Sequence, residues 1–281
     1  MRRGLAATVL AAAAVVGCDG ARGPDVVVEG TPPATPYRGP LDIATKEADA
    51  SSPQAMRIAS GAAGRALECD GEIYWGTGPD GWSDSDGGGS PEDGLRLFFD
   101  MFDPEVPRDG YRVERRGADR VLYSYDVRGR TKVAVVVAKD QRDRPGWGPE
   151  TNASCDPSEL PASVTSGQGR HEIWTDARGH RVPVTKITSS AGAGHCGWQS
   201  AHFLTVGGRT YVRDPHGVFA EDSVLAGRYD GDATMPADAH DTGYRFRGWR
   251  LWLTQDGDTA YVRTSHGVEA WPKERRGFAC R

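Results

Sequence analysis

The chain has 281 residues, a net charge of −5 and 38% apolar content, which is enough to bury a full core in one or two domains of ordinary size. Charge is unevenly spread: residues 56–160 hold 14 basic and 20 acidic side chains, whereas residues 161–281 hold 15 and 13. Neither part carries the dense basic face of a nucleic-acid binder, so no nucleic-acid partner is expected.

Arg2 and Arg3 precede an apolar run from Leu5 to Val16. A spanning helix needs about 20 residues, so this run suits a signal-peptide core instead. It ends in Val15-Val16-Gly17-Cys18, which resembles the lipobox of bacterial lipoproteins. The resemblance implies removal of residues 1–17, acylation of the Cys18 sulfur and a lipid anchor on the extracytoplasmic side of the cell membrane. Loss of Arg2 and Arg3 with the signal takes the net charge from −5 to −7. The Arg2-Arg3-Gly4-Leu5 start leaves the Sec and twin-arginine routes both open.

Residues 18–55 read as the lipidated cysteine and a disordered tether holding the folded part clear of the membrane. Pro24, Pro32, Pro33, Pro36 and Pro40 stand among small and polar residues, and Val26–Val28 is the one apolar run. A short helix is expected around Gln54 to Glu68, weakened by Gly61 and Gly64. A stronger helix follows Gly87–Gly89, with Ser90 as cap, Pro91 in the first turn, and Glu92 and Asp93 at the positive end of the dipole. Leu95, Phe98, Phe99 and Phe102 recur on one face, and Pro104 stops the run. Strands are expected at Tyr111–Arg115, Arg120–Val127 and Thr131–Ala138. Residues 56–160 therefore read as an α+β domain, a helix packed on an antiparallel sheet.

Residues 161–281 read as a second, β-rich hairpin domain. Ile173–Thr175 and Arg181–Thr188 flank the turn Asp176-Ala177-Arg178-Gly179. A local repeat then sets Thr210-Tyr211-Val212-Arg213 and His216-Gly217-Val218 against Ala260-Tyr261-Val262-Arg263 and His266-Gly267-Val268. Each copy follows a Leu-Thr strand and a turn, Gly207-Gly208 or Asp256-Gly257, so each reads as a tight hairpin.

With Cys18 assigned to lipid, Cys69, Cys155, Cys196 and Cys280 remain. An even number outside the cytoplasm predicts disulfides. The pairing Cys69–Cys155 and Cys196–Cys280 closes loops of similar span, 86 and 84 residues, one per domain.

Several groups compete as a functional site. All seven histidines (His171, His180, His195, His202, His216, His240 and His266) lie in the second part, yet no pair has the helical spacing of a zinc motif, so no metal or cofactor is expected. His195-Cys196-Gly197-Trp198 resembles the nucleophile region of papain-like and transglutaminase-like thiol enzymes. That resemblance implies Cys196 as thiolate, His216 or His240 as base and Asp214 or Asp241 as orienter. The acidic loop Asp80–Gly87 has Trp82 where a calcium-binding EF-hand needs Asp or Asn. Another loop, Asp230-Gly231-Asp232 through Asp238, His240 and Asp241, is acidic without a motif. Trp249, Trp252 and Trp271, with Tyr244, Phe246 and Tyr261, offer a core or an aromatic binding surface. The favoured expectation is a membrane-anchored lipoprotein with a non-catalytic binding role towards an envelope protein or wall polymer. Its rivals are a thiol hydrolase or transferase built on Cys196, and a metal- or ligand-sensing lipoprotein.

Overall fold

The computed structural model describes residues 25–43, 52–77, 82–83, 85–102, 105–141, 143–166, 171–219, 224–275 and 277. Cys18, Cys280 and the signal region lie outside them, as do several residues of the Asp80–Gly87 loop. The fold is β-rich, with 39% strand against 15% helix and three antiparallel sheets. No helix among the described residues is long and apolar enough to cross a membrane.

Two short helices, α1 (Pro53–Ala59) and α2 (Gly61–Ala66), open the main body. They replace the single expected helix, because the chain breaks at Ser60 and Gly61 takes a φ of +51°. Then come β1 (Ile73–Thr77), α3 (Pro91–Phe102), β2 (Arg112–Arg116), β3 (Arg120–Val127), β4 (Arg130–Gln141) and β5 (Arg144–Cys155). These five strands form one sheet in the order β1-β5-β4-β3-β2.

Both faces of this sheet are covered, whereas the sequence predicts a helix on one. Val133, Val135 and Val137 of β4 point towards Leu95, Phe98 and Phe99 of α3, and Ala134 and Val136 pack with Ala62, Ala63 and Ala66 of α2. A strand buried on both sides reads as an unbroken apolar run, which is what Val133–Ala138 is. The α3 start forms as its sequence predicts. Ser90 Oγ accepts from the Asp93 amide at 3.2 Å, and Asp93 Oδ2 accepts from the Ser90 amide at 3.0 Å.

The tether expectation needs correction over residues 25–43. Val27 bridges Tyr111 in parallel, with Val28 N–H donating to the Tyr111 carbonyl at 2.7 Å. Tyr37 N–H donates to Glu114 Oε1 at 2.6 Å, and Leu41 enters the core beside Leu122 and Val136. The edge strand β2 and its approach offer free backbone groups, and Val26–Val28 supplies the partner that composition alone hides.

The later strands are β6 (Ile187–Ala191), β7 (His202–Val206), β8 (Arg209–Arg213), β9 (His240–Phe246), β10 (Trp249–Leu253), β11 (Thr259–Arg263) and β12 (Val268–Pro272). They make a three-stranded sheet, β6-β7-β8, and a four-stranded one, β12-β11-β10-β9. The repeat is a pair of hairpins: β7–β8 turns at Gly207-Gly208, both with positive φ, and β10–β11 turns through Asp256-Gly257. The two sheets share one core in which Ile187, Leu204 and Tyr211 meet Leu251, Val262 and Trp271. The expected strand at Arg181–Thr188 forms mainly beyond that span. Thr175 bridges Arg181 around the Asp176 turn, and regular pairing starts only at Ile187.

Candidate functional site

The residues that the thiol-enzyme expectation would join are engaged otherwise. Cys196, in a 3-10 turn at Gly194–Cys196, is disulfide-bonded, so its sulfur is not a thiolate in this chain. The other expected bridge is present, Cys69 to Cys155, while Cys280 lies outside the described residues. Asp214 is buried, and its carboxylate accepts the backbone amides of Val218 at 2.8 Å and Phe219 at 2.9 Å. It caps a turn rather than orienting His216, whose side chain is exposed. Asp241 is held by Arg245, with Oδ2 accepting from Nη2 at 2.8 Å.

The histidines scatter. His195, His216, His240 and His266 are exposed, His180 caps the Asp176 turn, and His171 bonds Tyr74 Oη at 2.8 Å. Among the described residues, the one metal-sized trio is Cys69, Cys155 and Glu159, and two of its members are already bonded to each other.

The remaining histidine, His202 on β7, belongs to a polar cluster in the shared core. Its Nε2 lies 2.7 Å from Glu172 Oε2, which also accepts from Ser189 Oγ at 2.5 Å. Trp174 Nε1 donates to Ser189 Oγ at 2.9 Å, and the His202 ring stands edge-on to Trp249. Nearby, Glu269 on β12 accepts from Arg213 Nε at 2.7 Å and Trp271 Nε1 at 2.9 Å. Burial pushes the Glu172 carboxyl up, but the bonds from His202 and Ser189 and the charges of His202 and Arg247 outweigh it and hold it below the usual range. The same competition, won by Arg213 and Trp271, lowers Glu269. Because the carboxylate sits between serine and histidine, the Ser189 proton points at Glu172, and no Ser–His relay exists. This cluster fastens two sheets together.

The opposite face of the four-stranded sheet is different. Leu251, Ala260, Val262 and Trp271 turn inward, so alternation sends Arg250, Trp252, Tyr261 and Arg263 outward. Register then aligns three arginines: Arg245 of β9 faces Arg250 of β10, which faces Arg263 of β11. The next row is Asp241, Trp252 and Tyr261. The guanidinium carbons of Arg263 and Arg245 lie 5.0 and 6.0 Å from the Trp252 ring centroid. Arg245 is also paired with Asp241, whose carboxyl is held low by that bond. Among the described residues, Arg250 and Arg263 have no ion pair or hydrogen bond from their guanidinium groups.

Sequence reading did not single out this face. Its arginines are spread over a span of eighteen positions by subtraction and are gathered only by two hairpin registers. The turns that set those registers, Arg247-Gly248 and Asp256-Gly257, are the signal from which the row could be read. Comparison with protein-family models, curated proteins and solved structures returned no match.

Proposed function

We propose that the protein is a lipid-anchored binding protein of the bacterial envelope, without catalytic activity, that works through the outer face of β9–β12. The carrying observation is the row Arg245, Arg250 and Arg263 beside Trp252 and Tyr261. Like charges directly opposite one another destabilise a sheet, and of these three arginines only Arg245 has a counter-ion, Asp241. Two of its guanidinium groups keep their donors for a partner. The disulfide at Cys196 weighs against the thiol-enzyme reading. Under this proposal residues 56–160, with helices on an antiparallel sheet, form an α+β carrier unit, and residues 161–281 form the β-rich binding unit.

The anchor rests on Val15-Val16-Gly17-Cys18. Two or more acyl chains hold a protein firmly in a bilayer, whereas one holds it marginally. Cys18→Ala is expected to move the protein from the carbonate-washed membrane fraction to the soluble one, and retention in the membrane would refute the anchor. A photo-crosslinking residue at Arg250 is expected to give adducts in intact cells that the same residue at exposed Arg96 does not. Equal patterns from the two positions would refute the binding face.

A further inference from the structure

We infer that the outer face of β9–β12 binds a linear anionic polymer, one phosphate per sugar or polyol unit, laid across the strands along the row of three arginines. This deepens the binding reading above and rests on it.

Strand spacing of about 4.8 Å sets the outer two arginines of the row about 10 Å apart at their roots, so a single small anion cannot span all three. A chain with repeated anionic groups can: Arg250 and Arg263 each meet a phosphate with a free fork of donors, and Arg245, already bonded to Asp241, offers only its remaining N–H groups. Such a chain would also screen the repulsion that the register imposes on the free protein. Acidic groups bound the track on one side. Asp241 engages Arg245, and the charges of Asp256, Asp238 and Asp230 add to burial in raising the Tyr261 hydroxyl, so the anionic chain is confined to the arginine row rather than to the Trp252–Tyr261 row as a whole. Trp252 and Tyr261 flank the row, partly exposed, and offer flat surfaces to the uncharged units between the phosphates.

A bilayer surface is the other anionic candidate, and the structure disfavours it. The large apolar side chains that stand exposed among the described residues are Val28, Ile58 and Val113, none of them on this sheet. A face that docks on lipid presents apolar side chains for insertion alongside its charges.

The test uses the full chain in neutral detergent, with poly(glycerol phosphate), monomeric glycerol phosphate, neutral dextran, and vesicles of phosphatidylglycerol as probes. Binding of the polymer is expected, with affinity falling on added salt at a log–log slope of about −1.5 to −3, since about two to three phosphates are engaged. The monomer and dextran should bind at least tenfold more weakly, as multivalency on a single chain requires. Arg250→Gln and Arg263→Gln should each weaken polymer binding and reduce the slope by about 1, with Arg96→Gln unchanged. Circular dichroism of each variant confirms folding, which these exposed positions do not threaten. No polymer binding, binding insensitive to Arg250 and Arg263, or vesicle binding stronger than polymer binding each overturns the inference. If the Arg250 crosslink in cells goes to an envelope protein while the polymer fails, the polymer is wrong and the binding face stands; if both fail, both readings fall.

Discussion

Asp214 illustrates how a residue type suggests chemistry that its neighbours forbid. Its buried carboxylate is spent on two amides of the turn leading to Phe219, which packs in a satellite core with Ala201 and Val212. Charge-assisted bonds of this kind contribute about 1.5–3 kcal/mol each, so Asp214→Ala should cost at least about 2 kcal/mol of unfolding free energy in urea. An unchanged urea midpoint would show that the cap is dispensable. Glu172 makes a pH-dependent prediction. Its folded pKa lies below the ordinary value of 4.5, so its contribution is fully present above that pH and disappears as pH falls through the lowered folded value. Glu172→Gln is therefore expected to be less stable than wild type at pH 7, with the gap closing under acid. A gap of constant size from neutral pH to strong acid would show that the Glu172 charge is not what links β6 and β7.

Among elements, α3 was the most legible, because capping, helical periodicity and a stop residue all agree. Ser90→Ala should cost about 1 kcal/mol and Phe98→Ala about 3–5 kcal/mol, read as shifts in the urea midpoint. A Phe98→Ala shift no larger than that of Ser90→Ala would contradict the packing on β4. The duplicated hairpins were legible for a similar reason: alternation and turn residues coincide. By contrast β5 was hidden. It contains Pro145, Gly146, Gly148 and Pro149, which argue against a strand, yet Gly148 passes against the Trp82 ring where a side chain would clash. The sheet tolerates Pro149 because the register with β4 shifts there, between Val136 and Val137. The arginine face was hidden in another way. Each arginine is visible in the sequence, but their alignment belongs to pairing, which two turns specify jointly and neither specifies alone.

Over the whole molecule, the early and late sheets are stitched at the point where the sequence changes character. Asp156 accepts the Val184 amide at 3.0 Å, and Arg181 donates to the Leu160 carbonyl at 2.6 Å. A cleft of about 1450 Å³ runs beside this stitch, between the Lys132–Glu159 pair and the Asp176 turn. The Cys69–Cys155 bridge closes the early sheet over 86 residues. In the chain-entropy model a loop of that length is worth about 4–5 kcal/mol, so the Cys69→Ala, Cys155→Ala double variant should lose stability of that order in calorimetry. A loss below about 1 kcal/mol would mean that the sheet's own packing already restrains the unfolded chain.

The docked segment 25–43 alters how the molecule would stand on a membrane. If Cys18 carries lipid, nine chain steps separate the anchor from Val27, which is already paired to Tyr111. Nine steps reach at most about 30 Å fully extended, so under that anchor the five-stranded sheet rides near the bilayer instead of on a long leash. Exposed Val28 and Val113 lie at the edge on which this segment docks. A protease site inserted between Pro24 and Asp25 of the acylated protein should be cut more slowly on vesicles than in detergent, and a flexible insert of about 20 residues before it should restore the rate, since such a chain adds about 25 Å of mean reach. Equal cleavage on vesicles and in detergent without the insert would place the sheet far from the membrane and break the link between the anchor and the docked segment.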